Sequence, residues 1–303
     1  MTSEPPIVPA PMLDGRRRQP IVSLVITDPW AISAVAAAQL AARTGVERHD
    51  VLVVLGSGWA HVAELLPPGD DVAMVELDGF PEPSALGHGG AFRSIPLDGR
   101  HLLLALGRIH LYEGHGPLAV AHAVRTAAAA GCRTVVLTNA AGSLHREWPL
   151  GRPIVIRDQI NFTGVSSLSG PNPPADFPGR FTDMTEAYTA RLRDLVHAVE
   201  PGVPEGVYVG FHGPEFETPA EIEMARRWGG DLVGMSTVLE AIAASHLRLD
   251  VLGLSLATNL AAGMGEGRLD GDHVVAVAKA NAPYVGDLLL RILQRIVAEL
   301  PPA

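Results

Sequence analysis

The sequence has almost no cysteine or lysine and no long uninterrupted apolar run. Cys132 is the only cysteine among 303 residues, which excludes an intrachain disulfide and a zinc site built from cysteines. The first residues mix proline, glutamate and arginine without an apolar segment, unlike a secretory signal. No uncharged apolar run reaches the roughly 20 residues of a membrane span. We therefore expect a cytoplasmic protein without membrane contacts, in which Cys132 is a buried structural thiol.

Positive charge is also scarce. The chain has 23 lysines and arginines against 33 aspartates and glutamates, a net charge of −10. A nucleic-acid partner would require a basic face, so this class of partner is disfavoured, and any anionic ligand must be held by local donors. Lys279 is the sole lysine and no Gly-x-x-x-x-Gly-Lys-Ser/Thr motif is present, which disfavours a P-loop kinase.

The composition is that of a globular protein, with 47% hydrophobic and 18% charged residues. Residues 1–27 are rich in proline, carry three consecutive arginines and show no periodicity, which predicts a mobile N-terminal arm. No internal repeat or low-complexity linker follows. We therefore interpret residues 28–303 as one domain.

Short apolar runs alternate with stretches of helical spacing. The predicted strands are Val51–Leu55, Leu102–Leu106, Thr134–Thr138, Ile154–Ile156, Gly206–Phe211, Leu232–Val233 and Val251–Leu256. The predicted helices are Trp30–Ala42 (with Asp28 as N-cap), Leu118–Ala130, Glu186–Val199, Pro219–Trp228, Val238–Leu247 and His273–Leu300, the last broken or kinked at Pro283. The Gly-, Ser- and Pro-rich segment Asp158–Thr182 predicts a long loop. This alternation indicates an α/β domain with a largely parallel sheet, which binds ligands beyond the carboxyl ends of its strands.

Two segments after predicted strands suit an anion. Gly56-Ser57-Gly58 offers a hydroxyl and close backbone approach at a strand-to-helix turn, although a tight turn needs the same glycines without any ligand. In an extended segment Arg108, His110 and Tyr112 would share one face, where guanidinium and imidazole donors suit phosphate oxygens. Glu113 is placed to orient the imidazole.

Two further segments are weaker candidates for the same ligand. Leu86–Gly90 places His88 in a glycine loop that could close over an anion, and Asn139–Gly142 offers the Ala140 backbone N–H at a strand end. An ordinary turn would look the same in both places.

A second group of motifs suits a flat heterocycle. Phe216 offers an aromatic face, while Glu217 and Asn259 offer a carboxylate and a carboxamide for the polar edge of the ring. Taken singly, Phe216, Val233 and Met235 are typical of a core, and Glu217 would equally suit the N-terminus of the helix that starts near Pro219.

In order and type these segments resemble the trimeric purine nucleoside phosphorylases, over about residues 30 to 298. The resemblance implies one α/β domain with a mixed, partly barrel-like central β-sheet flanked by helices. It also implies a homotrimer with active sites near subunit boundaries. A purine nucleoside and inorganic phosphate would be the substrates, with no cofactor and no metal.

The same resemblance assigns roles to individual residues. It assigns phosphate contacts to Ser57, His88, Arg108, His110, the Ala140 backbone N–H and Ser236. It assigns the purine to Phe216, Glu217, Val233 and Asn259, and the ribose to Tyr112, Met235 and His273 near the 5′ position. The residues expected to carry catalysis are Asn259, Glu217 and His110.

These assignments predict phosphorolysis of inosine, guanosine and their 2′-deoxy forms in purine salvage. Asn259 can donate to O6 and accept from a protonated N7, and Glu217 can accept from N1–H. Adenine mismatches both contacts, and unpaired buried polar groups discriminate strongly. In the family an aspartate at the Asn259 position indicates 6-aminopurines.

Several positions depart from the family pattern, among them His212 and Glu215 beside the purine motif. Val165 stands where animal members carry a phenylalanine lent by the neighbouring subunit, and Gln159 stands where histidine is common. They motivate an alternative, a purine- or phosphate-binding protein without turnover. A methylthioadenosine phosphorylase is the alternative within the same chemistry, and Asn259 argues against it. A nicotinamide dehydrogenase is disfavoured because Gly56-Ser57-Gly58 lacks the third glycine of that fingerprint.

Overall fold

A computed structural model describes residues 26–81 and 90–301, which form one nine-stranded sheet with helices on both faces. The helices are α1 (Pro29–Thr44), α2 (Gly116–Val120), α3 (His122–Ala129), α4 (Ala190–Val199), α5 (Pro219–Arg227), α6 (Val238–His246) and α7 (Gly271–Glu299). The strands are β1 (Val51–Leu55), β2 (Asp70–Ala73), β3 (Ala91–Leu97), β4 (Arg100–Leu106), β5 (Thr134–Ser143), β6 (Pro153–Asn161), β7 (Glu205–Gly210), β8 (Leu232–Gly234) and β9 (Asp250–Leu260). Most of the predicted arm, residues 1–25, and His88 lie outside the described residues.

Part of the sheet closes on itself. The strand order is β2-β3-β4-β1-β5-β8-β7-β6-β9, and β9 also pairs with β5. Strands β5, β8, β7, β6 and β9 therefore form a closed ring, from which β1, β4, β3 and β2 extend as an open sheet. The strand pairs β2–β3, β3–β4, β5–β8 and β6–β9 are antiparallel, so the sheet is mixed. The mixed, partly barrel-like sheet implied by the family resemblance is confirmed, and the largely parallel sheet was an oversimplification.

Local sequence explains where the main elements start and end. Asp28 caps α1 by accepting from the backbone N–H groups of Trp30 (3.0 Å) and Ala31 (2.9 Å), and Pro29 occupies the first helical position. All five residues of β1 are buried, as expected for a strand between parallel neighbours covered on both faces. One apolar core lies under α1, α3 and α6, and the other lies under α4 and α7.

Several predicted boundaries were wrong for identifiable reasons. The strands β2 and β3 were missed because β2 is short, acidic and half exposed at the sheet edge. Helix α7 continues through Pro283, where a break or a kink was expected, because its buried side chains on both sides of the proline pack into the core. Strand β6 extends to Asn161, so the long loop begins four residues later than predicted.

Cys132 is a buried thiol, as expected. It is fully shielded from solvent, and burial raises the pKa of its thiol well above the ordinary value. Within residues 26–81 and 90–301 no helix is long and apolar enough to cross a membrane.

Candidate functional site

A cavity of about 400 Å³ opens where the carboxyl ends of several strands meet. Strand β8 runs antiparallel to the last residues of β5, with Val233 opposite Gly142, so the chain that leaves β8 returns alongside Ala140. This arrangement brings together predicted site residues from six separate segments. They are Ser57, Arg108, His110, Tyr112, Ala140, Phe216, Glu217, Val233, Met235, Ser236 and Asn259.

The two remaining predicted residues lie elsewhere. His273 is exposed in the first turn of α7 and lines an adjoining depression, which shares Phe216, Glu217 and Asn259 with the cavity. His88 falls outside the described residues. The cavity therefore does not include His273, the residue predicted to lie near the ribose 5′ position. The depression that contains His273 adjoins the cavity.

Arg108 is the cationic group of the cavity, and it is buried. Its Nε lies 3.1 Å from a carboxylate oxygen of Glu240, and its Nη1 donates to the Thr138 carbonyl (2.6 Å) and to Ser236 Oγ (3.3 Å). Its Nη2 is also buried but has no hydrogen-bond partner among the described residues. A buried donor without a partner is costly, so an anion in the cavity would complete the hydrogen bonding of this guanidinium.

Gly56 is required by the position of Arg108. A Cβ at residue 56 would collide with Arg108 Nη1 and would lie 2.5 Å from the Thr138 carbonyl oxygen. The Gly56-Ser57-Gly58 turn then leads into a short 3-10 helix, Ala60–Glu64, instead of the α-helix expected from the sequence. The turn provides room for Arg108 and presents Ser57 to the cavity.

Gly56→Ala is expected to destabilise the protein by about 1–3 kcal/mol, the usual range for overpacking, and to weaken anion binding in the cavity by displacing Arg108. Thermal unfolding and the affinity for inorganic phosphate would measure the two effects. Gly179→Ala is the matched control, because a Cβ at that glycine meets nothing within 4 Å. If Gly56→Ala and Gly179→Ala have the same stability and the same affinity for phosphate, the close approach of residue 56 to Arg108 is not needed.

The segment after Arg108 is extended at His110 but does not stay extended through Tyr112, as the prediction required. Leu111–Glu113 forms a 3-10 turn, and the His110 and Tyr112 rings stack with centroids 4.8 Å apart. Glu113 Oε1 accepts from the His110 backbone N–H at 2.7 Å and lies 3.3 Å from His110 Nδ1. Glu113 therefore orients the imidazole as expected, while the turn brings His110 and Tyr112 to the cavity.

A tight turn holds Ser236 against Arg108. Val238 N donates to the Ser236 carbonyl at 2.7 Å, and Thr237 between them has φ 71° and ψ −51°, which is the geometry of a γ-turn. This conformation is rare and strained for a β-branched residue, so other contacts must hold it. Asn139 Nδ2 donates to Thr237 Oγ1 at 2.8 Å, and the Asn139 side chain accepts in turn from Ser255 Oγ at 2.8 Å.

A β-bulge aims Asn259 into the cavity. Ala141 and Gly142 of β5 pair with Ala257 and Asn259 of β9, which leaves Thr258 as the extra residue. Thr258 Oγ1 donates to Asn259 Oδ1 at 3.0 Å, and Asn259 Nδ2 donates to the Leu260 carbonyl at 2.9 Å. These contacts fix which end of the amide is the donor, and each end retains capacity for one more hydrogen bond. Sequence reasoning missed Thr258, because a bulge leaves no signal in the residue pattern.

Glu217 does not cap α5. The cap is Thr218, whose Oγ1 accepts from Glu221 N at 3.2 Å while Glu221 Oε2 accepts from Thr218 N at 2.7 Å. The Glu217 side chain lies instead in the cavity with only 7% of its surface exposed, and burial raises the pKa of its carboxyl above the ordinary value. Phe216 is 44% exposed beside it and is therefore not an ordinary core residue.

The two departures that motivate a protein without turnover, Gln159 and Val165, lie outside the cavity. Gln159 donates to the Val238 carbonyl (3.3 Å) and accepts from Tyr188 Oη (2.8 Å). It therefore contacts the first residue of α6 from outside the cavity. Val165 is 37% exposed in the long loop, and its carbonyl accepts from Asn161 Nδ2 at 2.9 Å. Neither residue lines the cavity within the described part of the chain.

The comparisons with known proteins agree with this geometry. Residues 50–294 match the model of the phosphorylase superfamily. A purine nucleoside phosphorylase of Cellulomonas is 49% identical over 89% of this chain and 95% of its own length. A Schistosoma purine nucleoside phosphorylase, solved with hypoxanthine, superposes with a TM-score of 0.81 at 30% identity over 92% of this chain and 100% of the other. The Schistosoma mansoni purine nucleoside phosphorylase solved with adenosine gives a TM-score of 0.82 at 30% identity over 92% of this chain and 100% of the other. The chain belongs to the phosphorylase superfamily and, within it, to the purine nucleoside phosphorylases.

Proposed function

We propose that this enzyme cleaves 6-oxopurine nucleosides, namely inosine, guanosine and their 2′-deoxy forms, in purine salvage. Phosphate attacks C1′ of the sugar, the C1′–N9 bond breaks, and the products are the free base and (2-deoxy)ribose 1-phosphate. The observation that carries the proposal is the placement of Glu217 and Asn259 in the cavity that also contains Arg108. A base-reading carboxylate and amide thus share one space with an anion site.

The phosphate half of the proposal rests on Arg108, Ser236 and the surrounding donors. The unpartnered Nη2 of Arg108 would donate to one phosphate oxygen, and Ser57, His110 and the Ala140 backbone N–H would donate to others. His88, in the segment outside the described residues, is proposed to close the same site. Fixed donors hold the nucleophile against C1′ without reorganisation during the reaction, which is how positioning and preorganised charge lower a barrier. The chemistry needs no metal or organic cofactor.

The base half stabilises the leaving group. As the C1′–N9 bond breaks, negative charge develops on the purine, and N7 takes up a proton. Asn259 Oδ1 would accept from N7–H while its free amide hydrogen donates to O6, and the contact from Thr258 prevents the amide from flipping. Glu217 would accept from N1–H, and from the 2-amino group of guanine. Phe216 and Val233 would pack on the base, and Tyr112, Met235 and His273 would contact the sugar.

Adenosine presents a donor at position 6 and an acceptor at N1, so both contacts would be mismatched. The Schistosoma relative solved with adenosine shows that binding of an adenine nucleoside must be separated from turnover. The decisive experiment is therefore hypoxanthine release from inosine with and without phosphate, with adenine release from adenosine and methylthioadenosine measured alongside. Phosphate-dependent release from inosine alone supports the proposal. Preferred turnover of either adenine nucleoside would reverse the specificity, and binding of hypoxanthine without any turnover would indicate a binding protein.

The raised pKa of Glu217 predicts a pH dependence. N1–H is best accepted by the ionised carboxylate, so kcat/KM for inosine should fall as pH drops through the pKa of Glu217, which burial raises above its ordinary value. Glu217→Gln should lose that acid limb, whatever its absolute rate. Because phosphate also titrates, both proteins must be assayed at the same phosphate concentrations across the pH series. An acid limb that persists unchanged in the variant would assign it to another group.

We also propose that the enzyme acts as a homotrimer. Trp228 is 63% exposed and contacts the Phe162 ring with centroids 5.0 Å apart, so one edge of the molecule carries an aromatic surface near the long loop. Such a surface is typical of a subunit contact. Light scattering on the purified protein should give three times the chain mass of 31.9 kDa, and a monomer that is fully active would exclude the trimer as a requirement.

A further inference from the structure

We propose that Glu240 is the positioning residue of the phosphate site, acting through both Arg108 and the strained Thr237 turn. Glu240 lies in the first turn of α6 with 1% of its surface exposed, and it is not among the described residues that line the cavity. It therefore does not touch a ligand there. Its carboxylate instead connects the two structures that present donors to the cavity. This inference rests on the proposed phosphate site.

The first connection fixes the plane of the Arg108 guanidinium. Glu240 Oε1 and Oε2 lie 3.2 Å and 3.1 Å from Arg108 Nε, and the Thr138 carbonyl holds Nη1 from another side at 2.6 Å. With these two groups engaged, rotation of the planar fork is blocked. The donor left without a described partner is Nη2, which is the donor that the proposed anion needs.

The second connection supports the γ-turn that carries Ser236. Glu240 Oε2 accepts from the Thr237 backbone N–H at 3.0 Å, as the third residue of a capping box. Thr237 at φ 71° is a strained position that persists only when its surroundings impose it. Ser236 Oγ lies 3.3 Å from Arg108 Nη1, so both the hydroxyl and the guanidinium depend on the same carboxylate.

Electrostatics alone would argue against a carboxylate in this place. A buried negative charge next to the only described cation of the cavity opposes the binding of an anion. The presence of Glu240 is explained if the orientation that it gives to Arg108 and to the Thr237 turn matters more than the net charge of the cavity. The arrangement neutralises Arg108 in the empty site, which a buried guanidinium requires, and leaves its direction fixed for the ligand.

Two variants test this role. Glu240→Gln keeps the size of the side chain but cannot accept from both Arg108 and Thr237 without turning a donor toward one of them. Glu240→Asp keeps the charge but is one methylene shorter, so it cannot reach both. We expect each to raise the phosphate KM by about 10- to 100-fold, the equivalent of one charged hydrogen bond, with little change in the inosine KM. Glu205→Gln is the control, because Glu205 also pairs with an arginine (Arg193, 2.6 Å) and a second side chain (His197, 3.0 Å) but lies at the amino end of β7.

A double-mutant cycle with Arg108→Lys shows whether Glu240 acts through Arg108. The lysine keeps a buried charge beside Glu240 but lacks the planar fork. If the proposal holds, the double variant Arg108→Lys with Glu240→Asp shows a smaller fold-increase in the phosphate KM than the product of the fold-increases in the two single variants. A normal phosphate KM in both Glu240 variants, with a raised KM in Arg108→Lys, would overturn the role of Glu240 alone. An unchanged phosphate KM in Arg108→Lys would overturn the phosphate site itself and the role of Glu240 with it.

If the Glu240 variants are poorly folded, thermal unfolding with and without inorganic phosphate decides the same question. The wild type should be stabilised by phosphate, since a ligand that binds only the folded state raises the midpoint. Folded variants with a reduced phosphate-dependent shift support the proposal. Variants with a lower midpoint but an undiminished phosphate shift would show that Glu240 is only structural.

Discussion

Glu217→Ala is expected to lower kcat/KM for inosine by about 30- to 1000-fold, which corresponds to about 2–4 kcal/mol of transition-state stabilisation. The reason is that the carboxylate is 7% exposed and lies in the cavity, where its burial limits competition from water for the proposed hydrogen bond to N1–H. Steady-state kinetics with inosine and saturating phosphate would measure the loss. A near-normal value would remove Glu217 from base recognition.

Glu221→Ala is the control that separates catalysis from helix capping. Glu221 lies four residues away and completes the capping box of α5, so its loss should destabilise the protein without a comparable loss of kcat/KM. Glu217→Gln should lower kcat/KM for inosine without destabilising the protein. Because burial raises the folded-state pKa of Glu217, its ionisation opposes folding, and the stability present at acid pH is lost as pH rises through that pKa. At neutral pH the ligand-free Gln variant should therefore unfold at a higher temperature than the wild type.

The sequence predicted the parts of the fold that local patterns determine. The buried strand β1 was placed at its observed bounds, and α1 was predicted with its cap, because an apolar run ended by glycine and an Asp-Pro start are unambiguous. Closure of the sheet through the β5–β9 pair came only from the family resemblance, since a closed ring depends on contacts distant in sequence. The edge strand β2 and its neighbour β3 carry mixed patterns and could not be read from the residues.

The residues of the site divide in the same way, into those that their own chemistry identifies and those that act through contacts distant in sequence. Arg108, Glu217 and Asn259 were predicted from the chemistry of their side chains, and the structure places all three in one cavity. The residues that hold them were not found. Glu240 is an ordinary acidic residue in a predicted helix until the fold places it 3.1 Å from Arg108 Nε. Thr258 gains its importance from a bulge, and Gly56 gains its importance from a neighbour 52 residues away. Supporting contacts are long-range, so they become visible only in three dimensions.

Asn259→Asp is expected to shift the ratio of kcat/KM for adenosine to that for inosine by about 10²- to 10⁴-fold toward adenosine, the range for reversal of a buried hydrogen-bond pattern. The oxygen that replaces Asn259 Nδ2 would face the Leu260 carbonyl, which now accepts from Nδ2 at 2.9 Å. Two oxygens at that distance require a proton between them, so the carboxyl would donate to Leu260 and have no donor left for O6. It could still accept from a 6-amino group. Rates with both nucleosides at saturating phosphate measure the shift.

Asn259→Asp corrects the mismatch at the 6-amino group of adenine but not the mismatch at N1. Adenine N1 is an acceptor and therefore requires a donor from residue 217, which a glutamate supplies only when it is protonated. Because burial raises the pKa of Glu217, adenosine turnover by Asn259→Asp should increase as pH falls toward that pKa. Adding Glu217→Gln supplies an amide donor at every pH, so the double variant should use adenosine without this dependence. Thr258→Val is the control, since it removes one of the two contacts that orient the Asn259 amide and should weaken inosine turnover without creating adenosine turnover. If the double variant gains no adenosine activity over either single one, Glu217 and Asn259 do not read the base together.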